Sequence, residues 1–365
     1  VTTLAHRANI AADKVREWEA GERLPTFRQA KHVAGTLHIP FGYLFLSEPP
    51  LEQLQLPDFR RVRAEAAEAS AELIDVIDDV LVKQQWYREY APTEGHGPLP
   101  FVGKFTLNDD TEQIAADISR SVGLSRIRQE ASGWADFLGK FVHAVERTGI
   151  LVMKSSIVGG NVHRKLAVSE FRGFTVSDKI APAIFINSSD ARAAQIFTLA
   201  HELAHVWLDR SGVSNERLDS IVTGNNADVE VKCNAIAAET LVPKHEFTWD
   251  KKSDIDTNLR VIGRSFGVSS LVVLRRGHDL GFVKDNDFTS KFKLLLDSFI
   301  AKEEEQSGGG DFYPTLYSRN STVFTETLLG ALKQGYASYT EASRMLHVKV
   351  PTLAKIIGDL ESKAV

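Results

Sequence analysis

The chain of 365 residues contains a single cysteine, Cys233. No disulfide can form within it, and zinc frameworks built on several thiolates are excluded. A reducing cytoplasm is the compartment that fits. No run of about eighteen apolar residues is present, and no basic segment followed by an apolar one stands at the N-terminus, so neither a membrane span nor a secretory leader is expected. The chain opens on Val1 rather than Met and is read as missing its native start. Basic charge is not in excess: the formal net charge is -5, so any contact with nucleic acid has to come from a local patch rather than from the overall field. No repeat of fixed period is found. What is present, 43% hydrophobic and 25% charged residues, is the composition of an ordinary folded protein, and the length suggests two or three structural units.

Residues 1–63 read as a small all-α module, its short helices punctuated by Gly21, Pro25 and Pro40 and ended by Pro49, Pro50 and Pro57. Residues 64–110 read as a helical linker, because Ala64 to Tyr90 carries Ala, Glu, Ile and Val at helical spacing. Residues 111–286 are mixed. A helix from Trp134 to Thr148 precedes Ile150-Leu151-Val152-Met153 and later Ala183-Ile184-Phe185-Ile186, short β-branched and aromatic runs that read as strands. Helices Ala191 to Leu208 and Asp228 to Leu241 follow, the second stopped by Pro243. Residues 287–365 are helical again, interrupted by a flexible joint at Ser307-Gly308-Gly309-Gly310. The expected fold class is α+β, helices on a small sheet between two helical regions. Residues 250–290 give an incomplete pattern, and nothing functional is assigned there.

The segment Ile196 to Leu208 is apolar on nearly every face, so its helix is expected to be buried and its polar residues to need partners. His201 and His205 stand four residues apart, which places both imidazoles on one face, one turn apart in height. Both can reach one ion, and zinc takes imidazole nitrogen. Glu202, beside them, is the candidate general base, able to take a proton from a water activated by that ion. The H-E-x-x-H spacing also occurs by chance, and the bland alternative is a helix whose histidines only bond to neighbours. A third ligand has to come from elsewhere. Glu230, on the next helix and one turn before Asn234, is the first choice, since Ala235, Ala237 and Ala238 let two helices approach closely. Asp228, Glu239 and His245 compete with it, while Cys233 reads better as a small core residue.

Two stretches, Phe197-Thr198-Leu199-Ala200-His201-Glu202-Leu203-Ala204-His205 and Glu230 to Pro243, resemble the ImmA/IrrE family of metallopeptidases. In the second stretch Glu230, Asn234, Ala237, Ala238, Leu241, Val242 and Pro243 stand in the family's pattern; Thr240 replaces a usual Leu, and Ala204 a common Gly in the first stretch. The resemblance covers roughly the middle half of the chain. It implies a zincin-like domain with His201, His205 and Glu230 as Zn2+ ligands and Glu202 as general base. It further implies a regulatory endopeptidase whose partner and substrate is a repressor protein.

Near the N-terminus, Leu4-Ala5 through Ile10 reads as a helix and turn, and Ala11 to Ala20 as a second helix that Gly21 ends through a left-handed cap. Thr26 is placed to cap a third, whose Phe27, Ala30, Ala34 and Leu37 make one apolar face. Leu4-Ala5, Trp18-Glu19-Ala20-Gly21, Pro25-Thr26 and Val33-Ala34 resemble the XRE-type helix-turn-helix family, and Phe45 to Pro50 with Pro57-Asp58-Phe59-Arg60 resembles proteins in which that module is fused to the peptidase. The first helix of the pattern is shortened here, and Asn9 stands where Gly is common. If the module binds DNA, Ala12, Asp13, Lys14 and Arg16 approach base edges, and Arg7, Arg23 and Arg28 are the candidates for phosphate. Asp13, Glu17 and Glu19 speak for the competing reading, a docking module for protein partners.

Tyr339 to Leu346 followed by Val348 to Leu360 also reads as helix-turn-helix, with packing against the core or a homodimer partner as the equal alternative. The sequence therefore carries two main functional expectations: a regulatory zinc peptidase with a fused DNA-binding module, or a DNA-binding regulator or antitoxin whose peptidase-like domain only senses. His163, His245 and Tyr313 are candidates for stabilising an oxyanion, and nothing in the sequence selects among them.

Overall fold

In the computed structural model, residues 4, 5, 8, 10–37, 41–46, 70–214, 227–305 and 312–363 are described. The chain divides into two units, Val1–Phe59 and Arg60–Val365.

In the first unit, α1 (Ala12–Glu19) is ended by Gly21 at a φ of 72°, the left-handed geometry that a glycine adopts without a side-chain clash. Thr26 and Gln29 then cap α2 (Phe27–Leu37) reciprocally: Thr26 N–H donates to Gln29 Oε1 at 2.8 Å, and Gln29 N–H to Thr26 Oγ1 at 3.3 Å. Ala5, Ala8, Val15, Val33 and Ala34 form its buried centre. Phe27 is not part of that centre. It is largely exposed and meets Phe41 edge to face at 5.1 Å, on a short 3-10 turn, Phe41–Phe45.

The second unit starts at α3 (Ala71–Tyr90), capped by Ser70, whose hydroxyl accepts from Leu73 N–H at 3.2 Å. This helix had read as a linker. It buries Leu73, Val76, Ile77, Val80, Leu81 and Tyr87, and Gln84 Nε2 donates to the carbonyls of Val176 and Ala181, so it packs within the larger unit. The expected residues 64–69 of that helix, the prolines at 49, 50 and 57, and the glycine joint at 307–310 lie outside the described residues.

Next come α4 (Thr111–Val122), α5 (Leu124–Glu130) and α6 (Trp134–Glu146), followed by β1 (Leu151–Ser155), the hairpin β2 (Ile157–Val158) and β3 (Asn161–Lys165), β4 (Gly173–Val176) and β5 (Ala183–Asn187). After α7 (Arg192–Trp207) a short β6 (Gly212–Ser214) completes a sheet in the order β1-β5-β4-β6. β5 pairs parallel with β1 and antiparallel with β4, and all five of its residues are buried, which is why it reads as an unbroken apolar run. Thr175 lies opposite Ile184, and Phe174 stacks on Phe185 at 5.2 Å.

Every residue of α7 from Ala193 to Trp207 is buried. Trp207 ends it with its ring stacked on Phe101 at 4.4 Å and its Nε1–H donating to Asp117 at 2.9 Å, so removing that side chain should cost about 3–5 kcal/mol. Against α7 packs α8 (Ala227–Leu241), whose buried Cys233, Ile236, Ala237 and Ala238 keep the two helices close. The remaining helices are α9 (Ile255–Phe266), α10 (Ser270–Asp279), α11 (Asp285–Glu305), α12 (Phe312–Asn320), α13 (Thr322–Lys333), α14 (Tyr339–Leu346) and α15 (Val350–Lys363). α12 packs against β1, and the buried Glu146 at the end of α6 accepts from Ser321 Oγ and Thr322 N–H, both at 2.6 Å, which anchors the start of α13. A second buried network ties the C-terminal helices to α3: Lys83, fully buried, donates to Asp79 at 2.6 Å and to Asn320 at 2.8 Å, while His347 meets Asp79 at 2.8 Å. The architecture is helix-rich α+β, and among the described residues no helix is long and apolar enough to cross a membrane.

Candidate metal centre

α7 and α8 bring three side chains to one point. His201 Nε2 lies 3.0 Å from Glu230 Oε2, His205 Nε2 lies 3.4 Å from Glu230 Oε1, and the two Nε2 atoms are 3.0 Å apart. One ligand atom from each lies within 4.8 Å of the others. Both histidines are almost completely buried and Glu230 is partly buried.

The orientation of His201 is set from α8. Asn234 Oδ1 can only accept, so His201 Nδ1 at 2.9 Å carries the proton and donates, which leaves Nε2 with its lone pair toward Glu230 and His205. Two imidazole nitrogens 3.0 Å apart and out of water repel unless a cation or a proton lies between them. Two imidazoles on one tetrahedral zinc at the usual bond length of ~2.0–2.1 Å stand about 3.3 Å apart, close to what is seen.

Charge follows the same logic. Burial works to raise the Glu230 carboxyl, but hydrogen bonds and charge from His201 and His205 carry it well below the usual carboxylate range. Burial works to lower His205, yet Cys233, Glu230 and Glu202 together raise it well above the usual imidazole value. The donor set therefore draws positive charge inward, and a bound dication would release the proton it otherwise holds. The Cys233 thiol lies beside the His205 ring and interacts with it, and burial pushes that thiol up.

Glu202, the residue after His201, is turned about 100° from it around α7 and reaches toward β4 of the sheet. Its Oε2 accepts from Thr175 Oγ1 at 2.7 Å, and its Oε1 is fully buried with no partner among the described residues. Burial, against the pull of His205, His201 and the Thr175 hydroxyl, holds its carboxyl above the usual carboxylate value, and Glu230 adds to the rise. Gly173 makes room for this carboxylate. A Cβ there would stand 2.9 Å from Glu202 Oε1, 2.8 Å from Thr198 Cγ2 and 3.0 Å from the carbonyl oxygen of Phe185, distances side chains do not tolerate. An unpartnered carboxylate oxygen, buried beside two imidazoles and a second carboxylate, is the arrangement expected where a metal and its water belong.

The competing third ligands are occupied or remote. Glu239 is paired with Arg276 and accepts from Lys244 N–H, and the side chain of His245 is 76% exposed. Among the oxyanion candidates, Tyr313 is held by Asp359 and His163 is exposed on the β2–β3 hairpin. Thr175, Gly173 and the role of Asn234 had no counterpart in the sequence reading. Asn234 was visible by its spacing from Glu230, but not as the partner of His201. In the first unit Asp13, Lys14, Arg16, Arg23 and Arg28 are exposed and Ala12 is partly so. Arg16 is paired with Asp13 at 2.6 Å and Arg23 with Glu17 at 3.4 Å, while Arg7 lies outside the described residues.

Neither the curated proteins nor the solved structures contain a match to this chain. Residues 145–278, little more than a third of it, match the family model of the IrrE N-terminal-like domain. That span runs from the end of α6 through the sheet and the two site helices to α10, so the part of the chain that gathers His201, Glu202, His205 and Glu230 is similar to a metallopeptidase domain.

Proposed function

We propose that the protein is a zinc-dependent endopeptidase with a regulatory role, cutting a transcriptional repressor or a related partner protein. The observation that carries this reading is the convergence of His201, His205 and Glu230, with Glu202 Oε1 buried and without a hydrogen-bond partner among the described residues. His201, His205 and Glu230 would hold the metal, leaving one position for water as catalytic zinc sites do. Zinc bound there supplies a Lewis acid that brings the pKa of water to about 7. Glu202 takes the proton of the attacking water at Oε1 and passes it to the leaving amine, while Thr175 fixes Oε2 and so the plane of the carboxylate. Asn234 keeps the His201 lone pair pointed inward. The apolar surroundings of α7 exclude bulk water from these groups.

The repressor as substrate is suggested by the similarity of residues 145–278 to the IrrE N-terminal-like domain. The first unit, with the exposed Lys14, Arg28 and their neighbours, is proposed as a DNA-binding module of XRE type that brings the peptidase to its site of action in the cytoplasm. The test uses Glu202→Gln. Purified wild type should hold about one zinc per chain and cleave the repressor encoded beside its own gene; the variant should keep the zinc and lose cleavage. A wild type that holds zinc but cleaves no such partner would favour a sensing role for the site.

A further inference from the structure

The last three helices have a construction that peptide hydrolysis does not use. α14 opens on a capping box, with Glu341 N–H donating to Ser338 Oγ at 3.2 Å and Ser338 N–H to Glu341 Oε2 at 2.8 Å. It closes on His347, a non-glycine residue in left-handed geometry at a φ of 55°, and α15 begins at Val350. A left-handed residue turns the chain sharply after one short helix and lets the next pack across it. Ser343 Oγ donates to Val348 O at 2.6 Å and stiffens this turn. Where α14 packs on α15 and on α13, Ala342 and Leu346 of α14, Leu353 and Ile356 of α15 and Leu328 of α13 are each at most 1% exposed.

The outer face is different. α15 leaves Pro351, Ala354, Lys355 and Gly358 exposed at intervals of three and four residues, a single stripe along the helix, with Lys349 and Val350 at its start. Ala354 and Gly358 keep the stripe thin enough for close approach. Arg344, Tyr339 and Thr340 are exposed on α14, and Lys333 and Tyr336 just before it. The acidic groups are largely committed: Glu341 to the Ser338 cap and Asp359 to the hydroxyl of Tyr313, while the exposed Glu326 belongs to α13.

We infer that α14 and α15 form a DNA-binding helix-turn-helix, with the Pro351–Gly358 face of α15 entering the major groove and Arg344, Lys349 and Lys355 meeting phosphates. The major groove of B-DNA, about 12 Å wide, admits a helix with a thin face, and methyl groups such as those of Val350 and Ala354 suit the methyl of thymine. A protein-docking helix would instead present large apolar anchors, and among the described residues of this stripe Val350, at 42% exposure, is the one large apolar side chain. An RNA duplex has a major groove too narrow for a helix. The inference is independent of the metal site and of the first unit.

The experiment measures anisotropy of a fluorescent mixed-sequence DNA duplex of about 30 base pairs with the full-length protein across a salt series. The variant Arg344→Ala/Lys349→Ala/Lys355→Ala, all exposed, should weaken binding at least ~10-fold at low salt and reduce the slope of log K against log salt by about 2.7, with an unchanged melting temperature. Ala354→Glu, on the groove face, should weaken binding in the same way. Lys14→Ala/Arg16→Ala/Arg28→Ala, in the first unit, should leave the C-terminal contribution measurable. No binding by the wild type, an unchanged affinity and slope in the C-terminal variant, or equal binding to an RNA duplex of the same sequence would each overturn the inference.

Discussion

Replacing Asn234 with alanine should weaken zinc binding without disturbing the fold. The side chain is half-buried, alanine is a good helix former, and the change removes one interaction, the 2.9 Å bond that His201 Nδ1 donates to Asn234 Oδ1. Without it the imidazole is free to rotate or to carry its proton on Nε2, and either loss withdraws a lone pair from the cluster. Partners of metal-binding histidines typically contribute 10–100-fold in affinity, or about 1.4–2.7 kcal/mol. Zinc competition against a chromogenic chelator reads this without any knowledge of the substrate. Asn234→Ala should fall in that range, and Asn234→Asp, which keeps an acceptor, should stay near the wild type. An Asn234→Ala protein that binds zinc within about threefold of the wild type would show that packing alone orients His201, with no contribution from the Asn234 bond.

Thr175→Val keeps the shape of a fully buried side chain but removes the hydroxyl that holds Glu202 Oε2 at 2.7 Å. Bonds to a charged group are worth about 1.5–3 kcal/mol, so turnover should fall about 10–150-fold while KM and zinc content hold, and Thr175→Ser should restore it. A Thr175→Val protein with the turnover of the wild type would refute the assignment. Gly173→Ala pushes a methyl group against Glu202 Oε1 and the Phe185 carbonyl, and denaturant unfolding should register about 1–3 kcal/mol of lost stability together with reduced hydrolysis. Acid should act through Asp79. Burial works to raise Asp79, but Lys83 and His347 hold its carboxyl below the ordinary value, so its contribution is complete above about pH 4 and is lost as pH falls through the lowered value. Asp79→Asn should cost about 3 kcal/mol at neutral pH, because it leaves the buried Lys83 without its counter-charge, and should flatten the acid limb of a stability–pH curve. A variant as stable as the wild type at neutral pH would contradict this.

The parts of the site that lie on one helix were legible in the sequence, because helical spacing converts directly into a shared face. His201 and His205 fell on one side of a stretch too apolar to be exposed, and Ala237 and Ala238 marked the neighbour that could come close. The central strand was legible too, since Ala183 to Ile186 is buried on both faces. Thr175 and Gly173 were not. They belong to a four-residue strand, Gly173–Val176, too short to establish a period, and their bond to Glu202 joins positions 27 residues apart. The long helix Ala71–Tyr90 was visible as a helix, but its packing within the larger unit was not. Its buried face carries Lys83 and Gln84, polar residues that a pattern of hydrophobicity assigns to solvent and that tertiary hydrogen bonds instead hold inside. The helices between Ile255 and Asp279 escaped assignment although Asp254 and Ser269 cap them, because much of α10 is buried and lacks a clean polar face.

X-ray absorption at the zinc edge of the purified full-length protein, with metal content measured on the same sample, addresses the central claim most directly. The expected result is about one zinc per chain in a shell of nitrogen and oxygen at ~2.0–2.1 Å that includes two imidazoles, and loss of that stoichiometry in Glu230→Ala. Protein that takes up no stoichiometric zinc, or a sulfur ligand at ~2.3 Å marking Cys233 in place of Glu230, would contradict the account.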